Sequence, residues 1–236
     1  MAKKNFNVDY SNPPETLENH IFYGLQLDEQ QKEFRDAIWS TDKLIVFCDA
    51  KAGSGKTTIA TATANLLVKY GRYKNIVYVA SPTQEQKQGY LAGSLQDKSE
   101  PYFEPFYEAL VKIGVDPICC KLDDINNQKN GVGYIKCVTH TFLRGCNFEE
   151  SIIIIDESQN FFGDELKKVL TRIHDSCKVI VIGHSGQIDL YTNSNHSGFV
   201  AFLNHYKDDP RCAVCKLTKN YRGWISSWAD ELEWNY

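Results

Sequence analysis

A chain of 236 residues, 42% hydrophobic and 24% charged, is long enough to bury one generous core and has the composition of an ordinary globular protein. Its net charge of −4 lacks the basic footprint of a strong duplex-DNA binder, although a narrow channel in which bases stack remains open to a single strand. No apolar run approaches the roughly 20 residues of a membrane helix, the N-terminus has no secretory pattern, and the eight cysteines are scattered, so a cytoplasmic protein with free thiols is expected.

Residues 1–26, with Pro13 and Pro14, read as an N-terminal arm, extended at least over 1–15, and 27–236 as one domain. Asp28 is placed to cap an amphipathic helix over 27–39 that carries Leu27, Phe34, Ala37 and Ile38. Strands and helices then alternate. Strands are expected at 44–48, 75–80, 134–138, 151–155, 178–182 and 213–217, and helices at 57–70, 103–113 and 164–173. The run Ile152, Ile153, Ile154, Ile155 is apolar on both faces, which marks the centre of a parallel sheet. The alternation predicts an α/β fold, a mainly parallel sheet with helices on both faces. Residues 84–101 read as an inserted surface loop or flap. Cys212 and Cys215 have the spacing of half a zinc site, but no second pair lies at ligand distance in the sequence.

The chemistry concentrates where the first strand meets the second helix. Residues 50–58 are Ala50, Lys51, Ala52, Gly53, Ser54, Gly55, Lys56, Thr57 and Thr58, a phosphate-binding loop in the context that such a loop needs. Gly53 and Gly55 let the backbone curl so that successive amides face phosphate oxygens, and the helix N-terminus adds its positive end. Lys56 reaches the terminal phosphates, and the Thr57 hydroxyl is placed for Mg²⁺. Ala50 stands where the usual pattern has glycine, so the start of the loop is expected to differ slightly.

The strand at 151–155 ends in Asp156 and Glu157. Asp156 belongs near the magnesium, and Glu157 is then positioned to deprotonate an attacking water. A carboxylate next to the metal residue favours hydrolysis over transfer to a small-molecule acceptor. Past the strand at 178–182, Gln187 is placed to sense the γ-phosphate. Arg222 and Arg144 are the candidate stabilisers of charge on the transferring phosphoryl group, supplied within the chain or by a neighbour in a homo-oligomeric ring.

Together these residues resemble the PhoH-like family, single-domain ATPases akin to the first motor domain of superfamily 1 helicases. The resemblance covers roughly residues 27–236. Beyond the loop it is carried by residues 89–98, by Pro101, Tyr102 and Pro105 to Tyr107, by Phe142 to Gly145, by Asp156 to Asn160, and by residues 183–190 with Gln187. Ser81 stands where the family has arginine before a proline, and residues 220–222 are closer to a helicase motif, which implies a divergent, phage-type member. The resemblance implies a P-loop NTPase fold of RecA-like type, ATP as the nucleotide, an adenine-reading glutamine in the region that holds Gln30 and Gln31, of which the spacing favours Gln31, and action on single-stranded RNA or DNA. Tyr90, Tyr102, Phe103 and Tyr107 are candidates for base stacking, with core packing as the plainer reading for most of them. A nucleotide-dependent switch that binds a protein partner is the alternative function.

Overall fold

A computed structural model describes residues 9–82, 99–143, 147–186 and 197–232. Six strands, β1 (Ile45–Ala50), β2 (Asn75–Ala80), β3 (Ile135–Thr139), β4 (Ser151–Ile155), β5 (Lys178–Gly183) and β6 (Cys212–Leu217), form one sheet in the order β3-β2-β4-β5-β1-β6. Every pairing between neighbours is parallel.

Side chains of successive strand residues leave the sheet on opposite faces, and both faces here are covered. Val46, Tyr78, Ile152, Ile154 and Ile180 belong to one core with Phe34 and Ile38 of α1 (Glu29–Trp39), Leu66 and Leu67 of α2 (Lys56–Lys69), and Phe106 and Leu110 of α3 (Glu104–Lys112). Phe47, Val79, Ile153, Ile155 and Val181 belong to the other, with Leu166 and Val169 of α5 (Gly163–Leu170) and Phe199 of α6 (Gly198–Tyr206). The α/β, P-loop-type architecture expected from the sequence is the one observed. A short polar helix, α4 (Ile125–Asn130), precedes β3, and α7 (Trp224–Asp230) follows β6.

Three features bear on the expectations. First, the segment read as an arm is packed onto the domain from Tyr10 onward. Leu17 and Phe22 are buried, Trp39 Nε1 donates to the Pro14 carbonyl, and Asn65 Nδ2 donates to the Tyr23 hydroxyl at 2.6 Å. Irregular backbone is held there by apolar burial, which no periodic pattern announces. Second, Cys212 faces one core and Cys215 the other, so their spacing on a strand sends the two sulfurs to opposite sides of the sheet. Third, Ala50 is the last residue of β1, paired with Leu217 and fully buried. It is absent from the positive-φ residues, so extended backbone asks nothing of it that only glycine could give.

Candidate nucleotide site

Because the strands are parallel, their C-terminal ends share one edge of the sheet. The turn after β1 and the carboxylates after β4 meet there with only β5 between them. The turn closes when Ser54 N donates to the Lys51 carbonyl, and Gly53 and Gly55 take φ of +70° and +83°, left-handed values that favour glycine. Gly55 is the N-cap of α2 and supplies no side-chain cap, in contrast to Asp28, whose carboxylate accepts from Gln31 N at 2.8 Å in a capping box on α1. The first turn of α2 therefore presents its amides to an anion. Ser54 Oγ is buried beside them with no protein partner.

Four of the predicted residues come together at this edge. Thr57 Oγ1 donates to Asp156 Oδ2 at 2.7 Å, and Lys56 Nζ pairs with Glu157 Oε1 at 2.7 Å. Asp156 is almost wholly buried and also accepts from the Tyr78 hydroxyl at 3.0 Å and from Glu157 N at 2.9 Å. Burial pushes the Asp156 carboxyl above its usual range, with the Lys56 charge opposing this in part. Burial also works against the Lys56 charge, but Asp156 and Glu157 outweigh it and hold the ammonium above the ordinary lysine value. For Glu157 burial is again the largest influence, yet the Lys56 charge and the hydrogen bonds from Lys56 and Gln159 keep it ionised and below its ordinary value.

A cleft of about 540 Å³ opens beside the loop, lined among others by Leu27, Gln31, Thr58, Glu157, Tyr221 and Arg222. A smaller cavity, about 260 Å³, lies at the opposite end of the strands between Ile45, Val179 and Tyr206, away from these groups. Gln31 Nε2 donates to the Ser54 carbonyl at 2.9 Å, and its Oε1 accepts from Asp28 N, so this side chain ties α1 to the loop. Arg222 lies against the loop as well: a Cβ added at Gly53 would come within 2.8 Å of its Cγ and 2.6 Å of Asn220 Oδ1. Tyr221 N donates to the Gly53 carbonyl, and the Tyr221 hydroxyl donates to Asp28 Oδ2 at 2.5 Å. Ala52 sits in the turn itself. Gln187, Arg144 and Tyr90 lie outside the described residues.

Of the aromatic stacking candidates, Phe103 is buried edge-on against Tyr78, and Tyr102 and Tyr107 are packed against the same core. Sequence reasoning placed Asn220 and Gln159 inside motif segments but gave neither a role, because their polar side chains give no periodic signal of what they touch. It also missed the exposed face of α7, where Trp224, Ile225 and Trp228, with Leu232 just past the helix end, stand free of the core and the two indoles stack at 6.2 Å between centroids.

An uncapped helix behind a glycine turn, a partly buried lysine, and a threonine hydroxyl on a strand-end carboxylate define a P-loop nucleotide-binding domain of the parallel α/β class. Residues 26–223 match the family described as PhoH-like protein, and the chain belongs to that family. It is 30% identical over 218 residues to Protein PhoH2 of Bacillus subtilis, covering 91% of this chain and 49% of that protein. It is 29% identical over 199 residues to Protein PhoH of Escherichia coli, covering 83% of this chain and 53% of that protein. The chain thus spans about half the length of these curated relatives. Among solved structures, the large terminase of a thermophilic bacteriophage shares the fold, with a TM-score of 0.53 at 12% identity over 82% of this chain and 46% of that one. No helix among the described residues is long and apolar enough to cross a membrane.

Proposed function

We propose that this chain binds ATP with Mg²⁺ and hydrolyses it, stimulated by single-stranded RNA or DNA, as a helicase-like motor. The observation that carries the hydrolytic part is the pairing of Lys56 with Glu157 beside the Thr57–Asp156 hydrogen bond. It puts a phosphate ligand, a candidate general base and two hard oxygen donors at one strand edge. The donor set fits magnesium, which is held by one or two protein oxygens together with phosphates and water. Thr57 and Asp156 would hold the ion, and its chemistry when bound is to neutralise charge on the β- and γ-phosphates.

In this reading the amides of the loop and of the first turn of α2 bind the phosphates, and Lys56 leaves Glu157 for them. Glu157 then takes a proton from the attacking water. Gln31 retains one N–H and one acceptor direction of its amide for the adenine edge. Arg222 already lines the cleft of its own chain, which supports its acting there rather than across an interface. Gln187 as sensor and Arg144 as the group supplied by a neighbour complete the proposal. Assembly with further copies is supported by the apolar face of α7, since a patch of this kind is larger than single exposed side chains require. The nucleic-acid part rests on the family resemblance.

The test is ATP turnover with and without single-stranded RNA and DNA, for wild type and Glu157→Gln. Turnover that falls to a small residual rate in the variant while ATP still binds supports hydrolysis and rejects a purely nucleotide-dependent switch on a protein partner. Turnover indifferent to both nucleic acids removes the motor.

A further inference from the structure

We propose that Gln159 is the positioning residue that keeps Glu157 aimed at its water once nucleotide has drawn Lys56 away. This rests on the hydrolytic reading above and adds a residue to it.

Glu157 takes left-handed backbone angles, φ 47° and ψ 41°, and a single 3₁₀ turn over Ser158–Asn160 follows it. The reversal brings Gln159, almost wholly buried, back onto the carboxylate. Gln159 Nε2 donates to Glu157 Oε2 at 2.6 Å, and Gln159 Oε1 accepts from His184 N, just past β5, at 3.0 Å. A backbone N–H can only donate, so the amide oxygen must face His184 and the NH₂ must face Glu157. The amide therefore has one orientation.

The turn that carries it is also fixed. Ser158 Oγ donates to the Ile182 carbonyl at 2.6 Å, and a Cβ at Gly183 would come within 2.8 Å of that hydroxyl. Gln159 thus reaches Glu157 from an element clamped to the end of β5, as a precise site requires.

The two oxygens of Glu157 have different partners. Lys56 holds Oε1 at 2.7 Å and Gln159 holds Oε2. Phosphate takes Lys56 away and leaves Oε1 open towards the reacting side. The Glu157 side chain is half exposed, so without a second anchor it would be free to swing into solvent. Gln159 is that anchor: it makes its bond before and after the exchange, and only Oε1 is released to accept from water.

The test is ATP turnover at saturating ATP and magnesium for wild type, Gln159→Met and Gln159→Asn, alone and combined with Glu157→Gln, with ATP affinity measured by calorimetry. Methionine keeps the volume and loses both bonds, and asparagine keeps the amide but cannot span both partners. The expected result is a kcat lower on the order of tenfold to hundredfold in both variants. KM and ATP affinity should stay within about threefold, the signature of a contact used in the chemical step. In the Glu157→Gln background the Gln159 substitutions should add no further loss, because the residue acts through that carboxylate. Unchanged kcat in both variants beside an active wild type overturns the assignment, as does an equal loss in both backgrounds, which would mark a general structural role. A wild type with no turnover sinks the hydrolytic reading and this assignment with it.

Discussion

Gly53 and Gly71 allow the seating of residues 220–222 on the phosphate loop to be weighed. Their φ angles are nearly equal, +70° and +68°, but a Cβ at Gly71 meets nothing within 4 Å, whereas one at Gly53 lies 2.6 Å from Asn220 Oδ1. Alanine in left-handed backbone costs roughly 1–2 kcal/mol, and this should be the whole effect of Gly71→Ala. At Gly53 the contact must also be relieved. Asn220 is not free to move, because its Oδ1 accepts from Arg222 N at 2.8 Å and its Nδ2 donates to Ser226 Oγ at 2.7 Å. Losing both hydrogen bonds at about 1 kcal/mol each adds about 2 kcal/mol. That increment appears as lost stability where Asn220 yields. Where the loop yields instead, it appears as weaker nucleotide binding, by about thirtyfold. Urea denaturation and calorimetric titration with ATP on the two variants measure both terms. Gly53→Ala matching Gly71→Ala in stability, with wild-type affinity, would refute the seating of this segment on the loop.

Thr57→Val removes the hydroxyl that donates to Asp156. ATP affinity in magnesium should fall by more than about tenfold, while affinity in EDTA changes little, because only the metal-dependent part of binding uses that oxygen. Phe22→Ala should destabilise the domain by about 3–4 kcal/mol in denaturant, since the ring is wholly buried in the main core, and wild-type stability would show that 9–26 is an appendage. Lys178 is buried on β5 with its ammonium on the Ser40 carbonyl, and burial, with Arg72 adding to it, lowers its pKa to about 7. Between that value and the ordinary lysine value the unfolded chain binds the extra proton. Wild-type stability should therefore rise with pH above 7, by up to about 1.4 kcal/mol per unit, and this component should vanish in Lys178→Met. Parallel stability–pH profiles for the two proteins would contradict it.

The parts of the fold that were legible in the sequence are those in which the local pattern and the tertiary environment agree. The all-apolar Ile152 to Ile155 is a central strand because both its faces are covered. Asp28 caps α1 because Gln31, three residues on, completes the box. Where the two disagree, the pattern fails. The stretch that forms α6 carries Phe199, Val200, Phe202 and Leu203 and has no strong polar face, α4 is too polar to show an apolar stripe, and α7 turns its apolar side outward. None of the three was expected from periodicity.

The sequence alone determined the phosphate loop, the Asp156–Glu157 strand end and the parallel α/β class, because each depends on residue types a few positions apart. The tertiary structure decided how those pieces meet. The order β4-β5-β1 carries Asp156 to Thr57 across 99 positions of sequence, and packing puts Gln31 under the loop and Asn220 and Arg222 over it. It also gives Gln159 a partner at each end. Such contacts depend on strand order and on which side chains are left facing one another at the sheet edge. Those are properties of the packed chain as a whole, and no short stretch of residues contains them.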